Sequence, residues 1–322
     1  MTAIPSTIDL PVEKALGGTA GAASRLRKTL SGRTASVVAL IIALLWTAPT
    51  FGLMLSSFRP EDDIKSSGWW TFFTNPRLTV ENYQEVLFGR SSSSGQLASF
   101  LINSVVITVP AVLLPVAFAA FAAYALSWLP FKGRDWVFIG IFALQVVPLQ
   151  MALVPLLSFF SQGVDLFGLQ ILPAWDLDGP QRFIQVWFAH TCFALPLGIF
   201  LLHNFMSDLP GELMEAARVD GATHGVILRK IVLPLVAPAL ATFGLFQFLW
   251  VWNDLLVALI FAGGTSDTAP MTVRLAQLAG TRGDEWQRLT SGAFVSAVIP
   301  LIVFLSLQRY FVRGLLAGGI KG

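Results

Sequence analysis

The chain has 322 residues, 55% of them hydrophobic and only 12% charged, with a mean hydropathy of +0.69 and a formal net charge of +2. A soluble domain carries about 25% charged residues, so the composition excludes a soluble enzyme or a nucleic-acid-binding module and requires a polytopic membrane protein. One cysteine, Cys192, excludes an intrachain disulfide framework and reads as a packing residue inside a span.

Residues 1–34 read as a flexible tail rich in Pro, Gly, Ser, Thr and Ala, with Arg25, Arg27, Lys28 and Arg33 ahead of the first apolar run. That run, 34–58, is longer than the apolar region of a signal peptide. It ends in Leu55-Ser56-Ser57-Phe58 without a small-residue cleavage site, so it reads as an anchor. Further uncharged runs cover 91–131, 136–164, 183–207, 231–253 and 289–308. Each is as long as the roughly 20 residues that a helix needs to cross about 30 Å of hydrocarbon. Six spans are expected, at about 37–57, 99–127, 136–158, 183–205, 232–262 and 290–309, within a membrane unit over 35–309. The fifth is carried past Asp254 to Ala262.

Between the first two spans, Trp69, Trp70, Phe72 and Phe73 read as markers of the membrane interface. The second span holds Ala111, Ala117, Ala119, Ala120, Ala122, Ala123 and Ala125, small residues that let helix backbones approach in lipid. Orientation follows from the basic residues. With the amino terminus inside, segments 1–34, 128–135, 206–231 and 309–322 hold 5, 2, 3 and 3 Lys/Arg, which is 13 of the 21. Acidic residues split 7 inside and 12 outside. Both termini are therefore expected in the cytoplasm. Neither a repeat of 20–50 residues nor a pair of matched halves with broken spans is visible.

Segment 206–231 is polar and charged, between two runs long enough to cross a membrane, and a mere connection has no folding need for its order. Asp208 suits a helix cap, Pro210 the first turn, and Glu212 and Glu215 the positive end of the helix dipole. Gly221 suits a left-handed helix end, Thr223 a second cap, and the second segment, 224–232, stops near Leu233-Pro234. Ala216 and Ala217 are expected to leave a flat patch for another protein, with Glu215 and Asp220 as acceptors for its Arg or Lys. The sequence also admits a plain solvated loop.

Glu215-Ala216-Ala217, followed by Asp220-Gly221-Ala222 and then Leu233-Pro234, resembles the EAA signature of permease subunits of binding-protein-dependent ABC importers. Trp250-Val251-Trp252-Asn253-Asp254, Ala269-Pro270-Met271-Thr272-Val273 and the carboxyl end from Gln308 to Gly322 resemble the maltose-type (MalG-like) carbohydrate permeases. The likeness covers about 35–322. It implies an all-α polytopic fold, the type I ABC importer permease with six transmembrane helices and a cytoplasmic coupling helix–turn–helix over 206–231. It further implies a sugar or oligosaccharide as cargo, a second permease subunit, an ATPase dimer that carries ATP and Mg, an external solute-binding protein, and location in the cell's inner membrane amid its lipid.

No cofactor or metal is expected on this chain and no catalysis; Gly318-Gly319-Ile320-Lys321-Gly322 lacks phosphate-loop spacing. The resemblance places the carboxyl tail, 310–322, with Gly314, Gly318, Gly319 and Lys321, against the ATPases. Gln247, Asn253 and Asp254 are candidates for the substrate path, since ionisable groups at membrane depth are functional by default; Trp250 and Trp252 beside them equally suit an interfacial anchor. Gln145, Gln150 and Gln185 suit either sugar hydroxyls or neighbouring helices, and His190, His203 and His224 read as satisfied packing or loop residues. Two other functions fit less of the pattern: a permease for a polyamine or phosphate, and an intramembrane enzyme, for which neither H-E-x-x-H, G-x-S-x-G nor an acidic pair within a span is present.

Overall fold

A computed structural model of the protein describes residues 33–89, 96–279 and 285–319, and the tail 1–32 and Lys321 lie outside them. Helix α1 covers Arg33–Ser57; short helices α2 (Glu61–Ser66) and α3 (Glu81–Phe88) follow; α4 runs over Leu97–Trp128. Two helices, α5 (Arg134–Leu144) and α6 (Leu149–Gln162), precede a two-stranded antiparallel hairpin, β1 (Val164–Leu166) and β2 (Leu169–Leu172). Then come α7 (Phe183–Ser207), α8 (Gly211–Val219), α9 (His224–Ile227), a π-turn over Leu228–Val232, α10 (Leu233–Leu235) and α11 (Ala237–Trp252). The chain ends in α12 (Leu256–Phe261), α13 (Met271–Ala279) and α14 (Trp286–Gly319).

Four of these helices are long and apolar enough to cross a membrane, and up to six spans result if each bent helix pair counts as one. Three expectations change. The stretch 136–158 is not one straight helix, because α5 and α6 meet at 100° across Gln145-Val146-Val147-Pro148. Pro148 has no N–H to donate and disfavours a helical conformation at Val147, so the helix ends before it. The stretch 232–262 is likewise divided, at Val236 and again at Asn253–Leu255. At the carboxyl end the helix continues to Gly319, so a separate tail beginning at 310 is replaced by an extension of α14.

The centre of the bundle is α4 against α7, the most extensive helix contact, with α11 packed on both. Ala111, Pro115, Ala119 and Ala123, four residues apart, form one buried stripe on α4. That spacing puts them on a single helix face, where small side chains bring backbones together. Ala120 joins the stripe, Ala122 and Ala125 are half-buried, and Ala117 is exposed. Helices α1 and α14 are peripheral: only 6% and 11% of their most apolar windows are buried, against 50% for the α7 segment. Their outward apolar surface suits lipid or a partner helix.

At the end of the bundle opposite α8, the segment after α1 is held by polar contacts. The buried Arg59 donates to the Asp63 carbonyl, Ser67 Oγ and Thr71 Oγ1, while Asn82 Nδ2 donates to the Ser57 and Arg59 carbonyls. Trp69–Phe73 form a 3₁₀ turn, with Trp70 and Phe73 largely exposed.

Candidate functional site

Helix α8 begins directly after Pro210, whose fixed φ suits a helix start. Thr223 stands at the N-cap position of α9, as expected, though without a side-chain bond. Asp208 instead ends α7 in helical conformation, and Pro210 before α8 makes no side-chain cap bond. Met214 and Ala217 are buried, three residues apart on one face, in a cluster with Leu126, Leu202, Met206 and Ile227. Ala217 thus packs inward, and the expected flat patch is corrected. The open face of α8 is formed instead by Leu213, Ala216 and Val219 with Glu215 and Asp220 beside them, all exposed. Their spacing of three residues makes them neighbours.

Gly221 stands at φ +79°, the left-handed conformation that ends α8. Its N–H donates to the Arg218 carbonyl at 3.0 Å and the Ala222 N–H to the Ala217 carbonyl at 2.9 Å, satisfying the last turn. After Thr223 the chain runs through α9 into the π-turn, with Ile227, Leu228 and Val232 buried. Pro234 removes the donor that a regular helix would direct at the Lys230 carbonyl, which accounts for a widened turn there. Leu233 is half-buried and Pro234 exposed. His224 Nδ1 lies 2.9 Å from the Tyr124 hydroxyl, a hydrogen bond that joins this segment to the end of α4. The whole segment is therefore a fixed shelf, whose outer surface carries apolar residues and Glu215 and Asp220 on α8, with Arg218, Arg229 and Lys230 also exposed.

A second feature lies within the bundle. The break between α5 and α6 opens onto a cavity of about 500 Å³, bordered also by α7 and α11. Gln145, Gln150, His190, Gln247 and Trp250 line it, with Phe193 and Phe243 as apolar walls. Gln247 is buried and donates to the Ala111 carbonyl at 3.1 Å. His190 is 2% exposed, and its Nε2 has no hydrogen-bond partner among the described residues, so it is not the satisfied packing histidine expected. The nearest carboxylate oxygen, on Asp254, is 3.7 Å away.

The remaining candidates separate. Asp254 accepts from the Val257 and Ala258 N–H groups, so its carboxylate starts α12 where the fifth apolar run breaks. Asn253 is exposed and donates to the Leu249 carbonyl of its own helix. Trp252 is buried, its indole N–H donating to the Ser296 carbonyl, which makes it a link between α11 and α14 and not an interfacial anchor; Trp250 is exposed. Gln185 donates to the Trp175 carbonyl and lies outside the cavity lining. Gly314, Gly318 and Gly319 belong to the last turns of α14. The convergence of His190 with Gln145, Gln150 and Gln247 was not legible in sequence, since they come from three separate segments; the one local signal was Gln145-x-x-Pro148-x-Gln150 within an apolar run.

Residues 86–317 match the family described as the inner membrane component of binding-protein-dependent transport systems. The osmoprotective compounds uptake permease protein GgtD of Synechocystis sp. is 50% identical over 289 residues, 88% of this chain and 91% of its own. The alpha-glucoside transport system permease protein AglG of Rhizobium meliloti is 39% identical, with 88% of this chain and 95% of its own covered. A chain from the crystal structure of a bacterial ABC transporter that imports the acidic polysaccharide alginate superposes with a TM-score of 0.61 at 17% identity, covering 90% of this chain and 99% of that one. The fold is shared with that transporter's chain. With the family match over most of its length and half its residues in common with a permease of the same extent, the chain belongs to the binding-protein-dependent transport system inner membrane components.

Proposed function

We propose that this permease subunit carries a sugar or oligosaccharide into the cell and takes its energy through the α8–α9 shelf. The carrying observation is the fixed helix–turn–helix at Gly211–Val232 with its exposed Leu213, Glu215, Ala216, Val219 and Asp220. A shelf tied by buried contacts to α4 and α7 passes a push to the spans, whereas a solvated loop would absorb it. The ATPase dimer, with its ATP and Mg, sits below this face and below the end of α14. A second permease completes the path, and a solute-binding protein delivers cargo from outside. The likeness to AglG, a permease protein of an alpha-glucoside transport system, supports an α-glucoside class. The likeness to GgtD, an osmoprotective compounds uptake permease protein, favours a second reading, uptake of another small osmoprotective compound.

Two measurements test this. Uptake of labelled sucrose, trehalose and maltose against labelled glycine betaine by the whole complex separates the two cargo readings. Glu215→Lys inverts the charge of the open face, and Gly221→Val forces a β-branched residue into a left-handed conformation at a cost of about 1–2 kcal/mol. Both are expected to abolish ATPase retention in a pull-down, or its stimulation by loaded binding protein, while the chain still inserts. Parental retention and stimulation in both variants would falsify the coupling assignment.

A further inference from the structure

We propose that the cavity at the α5–α6 break is a subsite on this chain for a neutral polyhydroxylated solute, with the His190 imidazole and the Gln145 and Gln150 amides reading its hydroxyls. The inference rests on the sugar reading above and assigns part of the recognition to this subunit. Three independent observations converge. The first is the break itself: non-helical backbone at membrane depth is stable only where it is buried in protein or lines a wet cavity, and 145–148 borders this one. Discontinuous helices at membrane depth are a device for holding solutes. The second is His190 Nε2, a buried polar atom with no hydrogen-bond partner among the described residues and with the Asp254 carboxylate 3.7 Å away. Such an atom destabilises the empty protein, and a hydroxyl, both donor and acceptor, satisfies it whichever tautomer is present.

The third observation is the balance of the lining. Three glutamine amides supply donors and acceptors without charge, and Trp250, Phe193 and Phe243 supply faces for C–H surfaces. The carboxylate nearest the imidazole, Asp254, accepts from the Val257 and Ala258 N–H groups, and neither it nor any other carboxylate is in the lining to balance a cationic solute. No lysine or arginine is in the lining to hold an anion. At about 500 Å³ the cavity lies within the span of small-molecule sites.

Cys192 is the only cysteine in the chain and lines the same cavity, which makes it a native reporter. The test uses the complete complex in proteoliposomes with its binding protein, and labelled sucrose, trehalose and maltose as probes. Maleimide labelling of Cys192 is followed with and without each sugar during turnover. Transported sugar is expected to slow labelling in the parent. His190→Ala and Gln145→Leu are expected to lose that protection and to lower sugar moved per ATP hydrolysed about tenfold, the scale of one buried hydrogen bond. His190→Gln, which keeps a polar group at the site, is expected to restore part of it; a purely structural histidine would not be rescued in this ratio. Gln145 borders the open break, so its variant keeps the proposal testable if His190→Ala assembles poorly. A parent that takes up none of the three sugars overturns the sugar reading and this proposal together. A parent that transports one of them, with Cys192 unprotected and the ratio unchanged in both variants, overturns the subsite alone.

Discussion

Two glycines show how the same residue serves opposite ends. At Gly221 nothing lies within 4 Å of where a Cβ would be, so its need is purely conformational, set by φ +79°. At Gly198 the backbone is an ordinary helix, and the need is purely spatial. A Cβ there would sit 2.4 Å from Phe243 Cζ and 3.0 Å from the Ala119 Cβ. Ala119 is fully buried and cannot retreat, and Phe243, 2% exposed, can move only by giving up its place in the cavity wall. Gly198→Ala is therefore expected to lower stability by about 1–3 kcal/mol, the usual range for overpacking. Thermal unfolding of the purified complex would show it, and an unchanged midpoint would mean that α7 shifts freely against α4 and α11. The packing of α7 against Phe243 of α11 and Ala119 of α4 thus depends on one missing methyl group.

At the scale of elements, the α8–α9 shelf is joined to the bundle by a buried apolar face and by the Tyr124–His224 hydrogen bond. Tyr124→Phe deletes that bond and little packing. It is expected to cost about 0.5–1.5 kcal/mol locally and to speed amide exchange over 223–232 by up to about tenfold. Exchange at parental rates would show the apolar face to be sufficient. Much of this element was legible in the sequence: Gly221 required a left-handed end, and Pro210 and Pro234 bracketed the helices. The inward direction of Ala217 was not, because helical phase depends on where α8 begins, and it begins one residue after the proline. Long uncharged runs located α1, α4 and α7 within a few residues, since charge alone bounds a helix in hydrocarbon. The break in the third run escaped because its breaker, Pro148, sits among Val and Leu. Counting charges cannot distinguish a straight apolar helix from two that meet at 100°.

The two ends of the molecule differ in their balance of basic and acidic residues. The end of α4, the start of α5 and the α8–α9 shelf come together: Ser127 Oγ meets Ser207 Oγ at 3.2 Å, and Leu126, Phe138 and Met214 share one cluster. Lys132, Arg134, Arg218, Arg229 and Lys230 belong to this end, balanced by Asp135, Asp208, Glu212, Glu215 and Asp220. The opposite end joins α3, the start of α4, α13 and the start of α14. There Asn103 donates to the Ser266 and Ala269 carbonyls, the Met271 N–H to Ser104 Oγ, and Arg288 pairs with Glu85 and Glu285. Eight basic residues stand against 12 acidic ones in the segments assigned to that side. Basic residues resist translocation, and the acidic ones contribute little to orientation. The shelf is therefore expected in the cytoplasm and the Arg288 end outside. A reporter fused after Arg134 or after Gly322 should read as cytoplasmic, and one inserted within 268–279 as external. The reverse pattern would place the shelf outside, beyond reach of any ATPase, so a single topology experiment constrains the coupling assignment as firmly as a mutation in the shelf itself.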